Sequence, residues 1–544
     1  MGAKTRTVNP ISHLYPVILC IAVFITYVWS LPNGFISDDL NAIVLNGAIQ
    51  SVQTITAHPL SFIQPLLLVI LSSIAGTNPG TAWVYRSVNI FFHAGSVFFL
   101  YFIVRKITNE TTGFLTGLLY AVHPAVSESV MWISAGNYVR YGFFFFASLY
   151  AYIQWKDSHR FRDYVIHVGL YILCLESSEK GIILFLLFAA YELFVAKQKS
   201  VKAVIPTAIL SIVYAGLYLR YLPARLDFIK VTDTLPTGHN PFIQIPVAVW
   251  MYIRLIFWPR YLDIFHSMPF ISVSTYVFGI MTSISFLLIC YISYRYNRRI
   301  LFYLFLFLIP LIPVLTPLRI ASFFAERYAY ISIAGMIAGI SYGIHSFAIH
   351  IRNQKIIYGI FGIVIILLMA RTIVRAADLR SDDTLAQSGM RDDPNNIMHQ
   401  ENYANMLMRN NQLDTAASFY KEILQHNPQN ANAHTNLGYI YAHQGNMQKA
   451  INEYTIANHI NPNIWELNDN MAAYYAATND NRRAIAFIQK ALQLNASNTT
   501  LMFHAAIVYY LANNFPMAKY YINLVYTRSP NNPDVKYYYD LIYR

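Results

Sequence analysis

The chain has 544 residues, of which 56% are apolar, 15% aromatic and only 12% charged, far from the composition of an average soluble protein. A membrane protein is therefore the expectation. The formal net charge of +12 comes mainly from Lys and Arg in short stretches between apolar runs. This pattern is typical of membrane topology and argues against nucleic-acid binding.

Near-continuous apolar segments recur as far as about residue 375. Most of them approach the ~20 residues that a membrane-spanning helix needs. The first is expected to be a retained helix, since no small-residue cleavage site of a secretory signal follows it. The segments are 14–31, 84–104, 141–155, 164–175, 181–196, 203–222, 270–294, 300–318, 328–349 and 356–374.

The distribution of Lys and Arg sets the predicted orientation. Lys4 and Arg6 precede the first span, so the amino terminus is expected in the cytoplasm; residues 32–82 lack Lys and Arg, so this loop is expected outside. Continued along the chain, the same rule gives about eleven crossings and an external carboxyl-terminal region. Two apolar stretches break the alternation: 243–258 is predicted to be interfacial or re-entrant, and 58–76 to lie along the membrane face.

The carboxyl-terminal region repeats with a period of 34 residues. This period, with small residues where two helices cross and Pro where the chain leaves the pair, is the signature of tetratricopeptide repeats. The sequence therefore predicts an all-α chain with a polytopic membrane domain over 1–376, a linker over 377–394 and a repeat domain over 395–544. Four repeats and a short cap would form a curved surface for a peptide or protein, or a packing platform without a ligand. The recurring positions are Pro394, Pro428, Pro462 and Pro530, with Ala496 in the remaining place, and Ala416, Ala450, Ala484 and Ala518.

Many ionisable residues map to the external side by the charge rule. Such residues at the depth or edge of a membrane are expensive and are usually functional, although the ends of loops also carry polar residues for ordinary reasons. They are Asp38, Asp39, His58, His123, Glu128, Glu176, Glu179, Lys180, Glu326 and Arg327.

Five motifs in this part of the chain carry a family resemblance. They are "NGFISDDLNAIVLNG" at 33–47, "HPLS" at 58–61, "YAVHPAVSESVMWIS" at 120–134, "SEKGI" at 178–182 and "AERYAYISIAG" at 325–335. In this order, and followed by the repeats, they resemble the transmembrane and tetratricopeptide-repeat-containing protein O-mannosyltransferases, a branch of the GT-C glycosyltransferases. The resemblance implies a membrane enzyme that moves one sugar from a polyprenyl-phosphate carrier to a Ser or Thr hydroxyl of an exported protein.

The resemblance also implies roles for particular residues. Asp38 is the first choice for the catalytic base, with Asp39 orienting the acceptor or sharing the role. Lys180, Arg327 and Arg140 are candidates for binding the donor phosphate. The candidates for binding the sugar or the acceptor are His58, His123, Glu128, Glu179 and Glu326.

The chain departs from the family pattern at two of these motifs. After "WIS" the family carries an Arg and an Asp, whereas here Gly136 and Tyr138 stand at those places and Arg140 follows one turn later. The family's "KEQG" is "SEKG" here, so Lys180 is displaced. These shifts bear on the phosphate ligands and on the identity of the sugar.

No cofactor is expected beyond the lipid-linked sugar, and a divalent metal ion at the acidic pair is the less favoured alternative. Cys20, Cys174 and Cys290 lie in apolar runs, where cysteine acts as a small hydrophobe. The expected location is a bacterial inner membrane with the site facing the periplasm, or an endoplasmic reticulum membrane with the site facing the lumen. Two other functions stay open: the same fold glycosylating a lipid or glycan, and a non-catalytic membrane-anchored scaffold.

Overall fold

A computed structural model describes residues 12–44, 60–220, 241–264, 272–315, 324–496, 498–530 and 532–543. Within these ranges all regular secondary structure is helical, which confirms the predicted all-α class. The described residues form two compact units, one of those up to 385 and the other of those from 386 onwards.

The first unit is built from apolar helices. Among the described residues, five helices are long and apolar enough to cross a membrane: Ala82–Ile107, Val201–Leu219, Val273–Tyr296, Glu326–Ala348 and Gln354–Asp378. The chain is thus a membrane protein, while the count of about eleven crossings and their orientation stay predictions. The other α-helices of this unit are Tyr15–Tyr27, Ile63–Ala75, Glu110–Val122, Ser127–Met131, Gly136–Ser158, Phe161–Ser177, Phe185–Phe194, Pro241–Phe257 and Arg298–Leu308.

Two glycines let helices of this unit pack backbone against backbone. A Cβ on Gly335 would lie 2.5 Å from both the Phe307 nitrogen and the Tyr303 oxygen, and one on Gly113 would lie 2.9 Å from the Tyr101 oxygen. In an apolar medium, where water does not drive helices together, such close approach supplies much of the attraction between them. Apolar composition alone does not identify these contacts.

Short irregular segments interrupt the helices where the candidate residues lie. Short 3₁₀-helices occupy Pro124–Val126, Glu179–Leu184 and Glu326–Ala329, and an irregular turn precedes Asp38. Each break exposes backbone donors and acceptors that need partners, so polar side chains collect there. These breaks position the candidate site.

The second unit confirms the predicted repeats. Each repeat is a helix pair that starts 34 residues after the one before it, and a residue with positive φ turns the chain between the two helices. These turn residues are Asn411, Gly445, Asn479 and Asn513, all types that tolerate the left-handed conformation. The pairs are Ile397–Arg409 with Leu413–His426, Ala431–His443 with Met447–Ile460, Trp465–Ala477 with Asn481–Leu494, and Thr499–Leu511 with Phe515–Arg528, and Pro533–Tyr543 follows as a cap.

Polar side chains cap the repeats in register with the prolines. Gln400 donates to the carbonyl of Pro394 at 3.2 Å, and Asn468 donates to that of Pro462 at 2.9 Å. A prolyl carbonyl at the end of a helix pair would otherwise lack a donor. The carbonyl of the recurring Pro is therefore hydrogen-bonded to a side chain of the first helix in the following pair.

Gly438 tests how tightly one repeat is packed. A Cβ at this position would lie 2.6 Å from the ring of the buried Tyr454. We expect Gly438→Val to destabilise the repeat unit by about 1–3 kcal/mol, because a filled core cannot absorb the added methyl groups. Thermal unfolding of the full chain measures the loss. Ala473→Val, on an exposed position of the next repeat, is the matched control and should cost much less.

Candidate functional site

The two adjacent carboxylates have different surroundings. Asp39 is fully buried, and its carboxylate accepts hydrogen bonds from the Ser134 nitrogen at 2.7 Å, the Ser134 hydroxyl at 2.5 Å and the Ile36 nitrogen at 3.3 Å. Asp38 is exposed. Asp39 therefore fixes the loop to the segment that follows Trp132, while the Asp38 carboxylate is open to an incoming molecule.

The same contrast governs how the pair ionises. Burial raises the pKa of Asp39 to about 6, although its hydrogen bonds with Ser134 and the charge of Arg86 act in the opposite direction. Partial desolvation by the surrounding protein raises the pKa of Asp38 from its ordinary value, and the charge of Arg327 partly offsets this increase. Asp38 therefore combines access with a raised proton affinity, which suits a general base.

Arg86 is a residue of this region that the sequence did not single out. Its guanidinium is fully buried and donates to the carbonyls of Met131 at 2.7 Å, Asn33 at 2.8 Å and Gly34 at 2.9 Å. An ionisable residue within an apolar run was the available signal. Arg86 joins the Asp38 loop to the segment beside Trp132.

Glu128 and Arg327 form the tightest ion pair of the candidate site. Arg327 donates to one oxygen of Glu128 through its guanidinium at 2.6 Å and to the other through its backbone nitrogen at 2.7 Å. Glu128 is fully buried, whereas 19% of the Arg327 side chain is exposed. The Arg327 guanidinium also lies 5.3 Å from the ring of Trp132 and 5.2 Å from that of Tyr328. The pair thus holds a cation whose charge acts on Asp38.

Lys180 supplies a second cation in the same place. Its ammonium donates to the Tyr138 hydroxyl at 2.8 Å and lies 4.6 Å from the Tyr138 ring and 4.7 Å from the Tyr328 ring. Glu179 lies close enough for its charge to act on Tyr138. Tyr328 therefore contacts both cations, and the site combines two positive charges with aromatic faces.

Other predicted site residues have structural partners. His123 accepts from the Ala125 nitrogen at 3.2 Å and contacts the Ile256 carbonyl at 3.0 Å through its other ring nitrogen. Arg140 is buried and donates to the Asn89 side chain at 3.1 Å.

Of three further candidates, two have partners away from the Arg327 and Lys180 cations, and the third lies outside the described residues. Glu326 is buried and accepts from the Asp263 nitrogen at 2.6 Å. Glu176 accepts from the Ser61 nitrogen at 3.0 Å, at the start of the helix Ile63–Ala75. His58 lies outside the described residues. The described part of the chain therefore brings together Asp38, Glu128, Lys180 and Arg327, with Glu179 beside them.

Comparisons with known proteins find similarity in the repeat unit and over most of the chain. The tetratricopeptide repeat family model matches residues 407–467. Protein O-mannosyl-transferase TMTC3 of Mus musculus is 23% identical over 516 residues, which cover 82% of this chain and 55% of that protein. TMTC2 of Mus musculus is 30% identical over 141 residues, which cover 25% of this chain and 16% of that protein.

The resemblance predicted from the motifs is confirmed. This chain is similar to the TMTC protein O-mannosyl-transferases. It spans about half the length of the curated relatives that it matches over most of its own length, 55% for TMTC3. Among solved structures, an oligosaccharyltransferase of Archaeoglobus fulgidus aligns with 72% of this chain and 59% of its own, with 13% identity and a TM-score of 0.39.

The raised pKa of Asp39 predicts a pH-dependent stability. Between the ordinary carboxyl pKa and about 6 the folded chain keeps the Asp39 proton and the unfolded chain loses it. The contribution of Asp39 to the stability should therefore fall by about 3 kcal/mol as the pH rises through this window. Asp39→Asn lacks this dependence, because an amide does not titrate. Thermal unfolding in detergent at pH 4.5 and 7.5 measures the difference. Between these pH values the unfolding temperature of the variant should increase relative to that of the wild type, and equal changes in the two proteins would contradict the prediction.

Proposed function

We propose that this chain is a membrane glycosyltransferase that moves one sugar from a polyprenyl-phosphate donor to a Ser or Thr hydroxyl of an exported protein. The observation that carries the proposal is the placement of an exposed carboxylate, Asp38, within the electrostatic reach of the Arg327 guanidinium. A transfer from a phosphate ester needs a base for the acceptor and a cation for the leaving group.

The step balances with the groups of this site. Asp38 takes the proton of the acceptor hydroxyl as its oxygen forms a bond to the anomeric carbon. The bond between that carbon and the phosphate oxygen breaks, and the electron pair leaves with the polyprenyl phosphate. Arg327 and Lys180 stabilise the negative charge that builds on the departing phosphate.

The surroundings of the cations suit this task. Glu128 contacts one side of the Arg327 guanidinium at 2.6 Å and fixes its orientation. The exposed part of the guanidinium can therefore bind a phosphate without rearrangement of the side chain. The rings of Trp132, Tyr138 and Tyr328 lie beside the two cations. Flat apolar rings of this kind suit the face of a sugar, while the polyprenyl tail stays in the membrane among the apolar helices.

The repeats support a protein as the acceptor. Helix-pair arrays present an extended surface for peptides and proteins, and a lipid acceptor has no need of one. We propose that the repeats recruit the acceptor on the external side, in a bacterial inner membrane facing the periplasm. A tag fused after the last residue must then be accessible from outside; a cytoplasmic tag would refute this recruitment.

The transfer itself is tested with the purified full chain in detergent. The probe is polyprenyl-phosphate mannose carrying a labelled sugar, with polyprenyl-phosphate glucose for comparison, and the acceptors are exported proteins from cells that lack this chain. We expect label on protein and a hexose on Ser or Thr by mass spectrometry. If label appears only in lipid or glycan, the acceptor is a lipid or glycan and not a protein. If the donor is unchanged under all conditions, the result favours the alternative function of a non-catalytic scaffold.

A further inference from the structure

The residue before the proposed base has an unusual backbone conformation. Ser37 has φ of 53°, in the left-handed region that residues with a side chain rarely occupy. Such a conformation persists only where surrounding contacts hold it, and it is found preferentially at functional sites. The direction in which the chain enters Asp38 therefore depends on what holds Ser37.

The contact that holds Ser37 comes from a distant part of the sequence. The Ser37 nitrogen donates to a carboxylate oxygen of Asp382 at 2.7 Å. The loop before it is bound to the same region, because the Gly34 nitrogen donates to the Arg380 carbonyl at 3.0 Å. Asn33 is buried and donates to the Ala376 carbonyl at 2.6 Å. The loop of residues 33–37 is thus docked on residues 376–382.

Asp382 is itself fixed by a reciprocal helix cap. The Ser381 nitrogen donates to the Thr384 hydroxyl at 3.0 Å, and the Thr384 nitrogen donates to the Ser381 hydroxyl at 3.2 Å. This pair starts the helix Asp382–Asp392. The Thr384 hydroxyl also donates to the Asp378 carbonyl at 3.1 Å. Asp382 therefore stands at a set position relative to the end of the helix Gln354–Asp378.

We infer that Asp382 is a positioning residue for the base Asp38. By accepting the Ser37 hydrogen bond it stabilises the left-handed turn that aims Asp38 at the acceptor, and Asp39 holds the other end of the turn through Ser134. The inference rests on the proposed function.

The test separates positioning from general stability. In the transfer assay with polyprenyl-phosphate mannose, we expect Asp382→Ala to lower kcat roughly 10- to 100-fold with little change in the donor KM, since a displaced base harms the reaction more than donor binding. Asp382→Asn keeps an acceptor oxygen and should retain most of kcat. Adding Ser37→Gly to Asp382→Ala should restore much of the loss, because glycine adopts positive φ without strain.

A second variant acts on the same turn from the other side. Ser37→Val leaves Asp382 intact but makes positive φ costly, so it should lower kcat as Asp382→Ala does. Asp392→Ala, at the far end of the same helix and paired with Arg391, is the control that should behave as the wild type.

Wild-type kcat in both Asp382→Ala and Ser37→Val would overturn the inference, as would a loss in Asp382→Ala that Ser37→Gly leaves unchanged. Asp38→Asn in the same assay distinguishes the two proposals: if it retains transfer, the proposed base is wrong, whatever the Asp382 variants do.

Discussion

Asp38→Asn should slow transfer severely while leaving the fold intact. The amide cannot take a proton from the acceptor hydroxyl, and removal of a general base typically costs about 10²- to 10⁴-fold in rate. Because Asp38 is exposed, the change leaves no buried group without a partner. We therefore expect kcat to fall by this factor, with the donor KM and the unfolding temperature close to those of the wild type. Asp157→Asn, at an exposed carboxylate that pairs with Lys106, is the matched control.

The pH dependence of transfer adds a second measurement on Asp38. The base works only when ionised, so kcat/KM should rise with pH through the pKa of Asp38. Partial desolvation by the surrounding protein raises that pKa from the ordinary carboxyl value, which places this rise at a higher pH than for a fully solvated Asp. The rise should be absent in the residual activity of Asp38→Asn. Full transfer by Asp38→Asn together with its loss in Asp39→Asn would instead assign the base to Asp39.

The repeat unit could be predicted from sequence in detail. Its helix pairs follow one another in a strict register, so one period fixed the places of Ala416, Ala450, Ala484 and Ala518, all of which are fully buried. Each helix pair contacts only the neighbouring pairs, so its packing depends on residues that lie within about one repeat length in the sequence. Periodicity therefore carries nearly all of the information there.

The membrane domain could be predicted only in outline. Apolar runs identified where helices lie, but the contact of Gly335 with Phe307 and Tyr303 depends on which helices become neighbours. In the stretch interpreted as interfacial or re-entrant, the chain forms the helix Pro241–Phe257 with Pro246 inside it. Length and composition describe such a helix without deciding whether it crosses the membrane.

The candidate site shows what sequence could not supply. The charge rule placed Glu128 and Arg327 on one side of the membrane, but they are 199 residues apart and nothing local indicates that they pair. The difference between Asp38 and Asp39 likewise depends on Ser134, which lies 95 residues from Asp39. Long-range hydrogen bonds decide which carboxylate is buried, and no short motif contains them.

Removal of the Arg327 side chain should have the largest effect on stability. In Arg327→Ala the carboxylate of Glu128 stays fully buried without its guanidinium partner, which is 2.6 Å away in the wild type. Breaking a buried ion pair in this way typically costs about 3–5 kcal/mol, more than the pair itself is worth. We expect a clear drop in the unfolding temperature in detergent and, at temperatures where the variant is folded, loss of transfer.

The double variant Glu128→Gln with Arg327→Met separates the structural part of this effect from the functional part. With both charges gone, no buried carboxylate is left unpaired, so most of the lost stability should return. Transfer should stay absent, because the departing phosphate lacks the cation that the proposed mechanism requires. Lys180→Met, which leaves the ion pair of Glu128 and Arg327 intact, should slow transfer with little loss of stability. A stable double variant with wild-type transfer would show that Arg327 serves only to neutralise Glu128, and the phosphate-binding role would then fall to Lys180 alone.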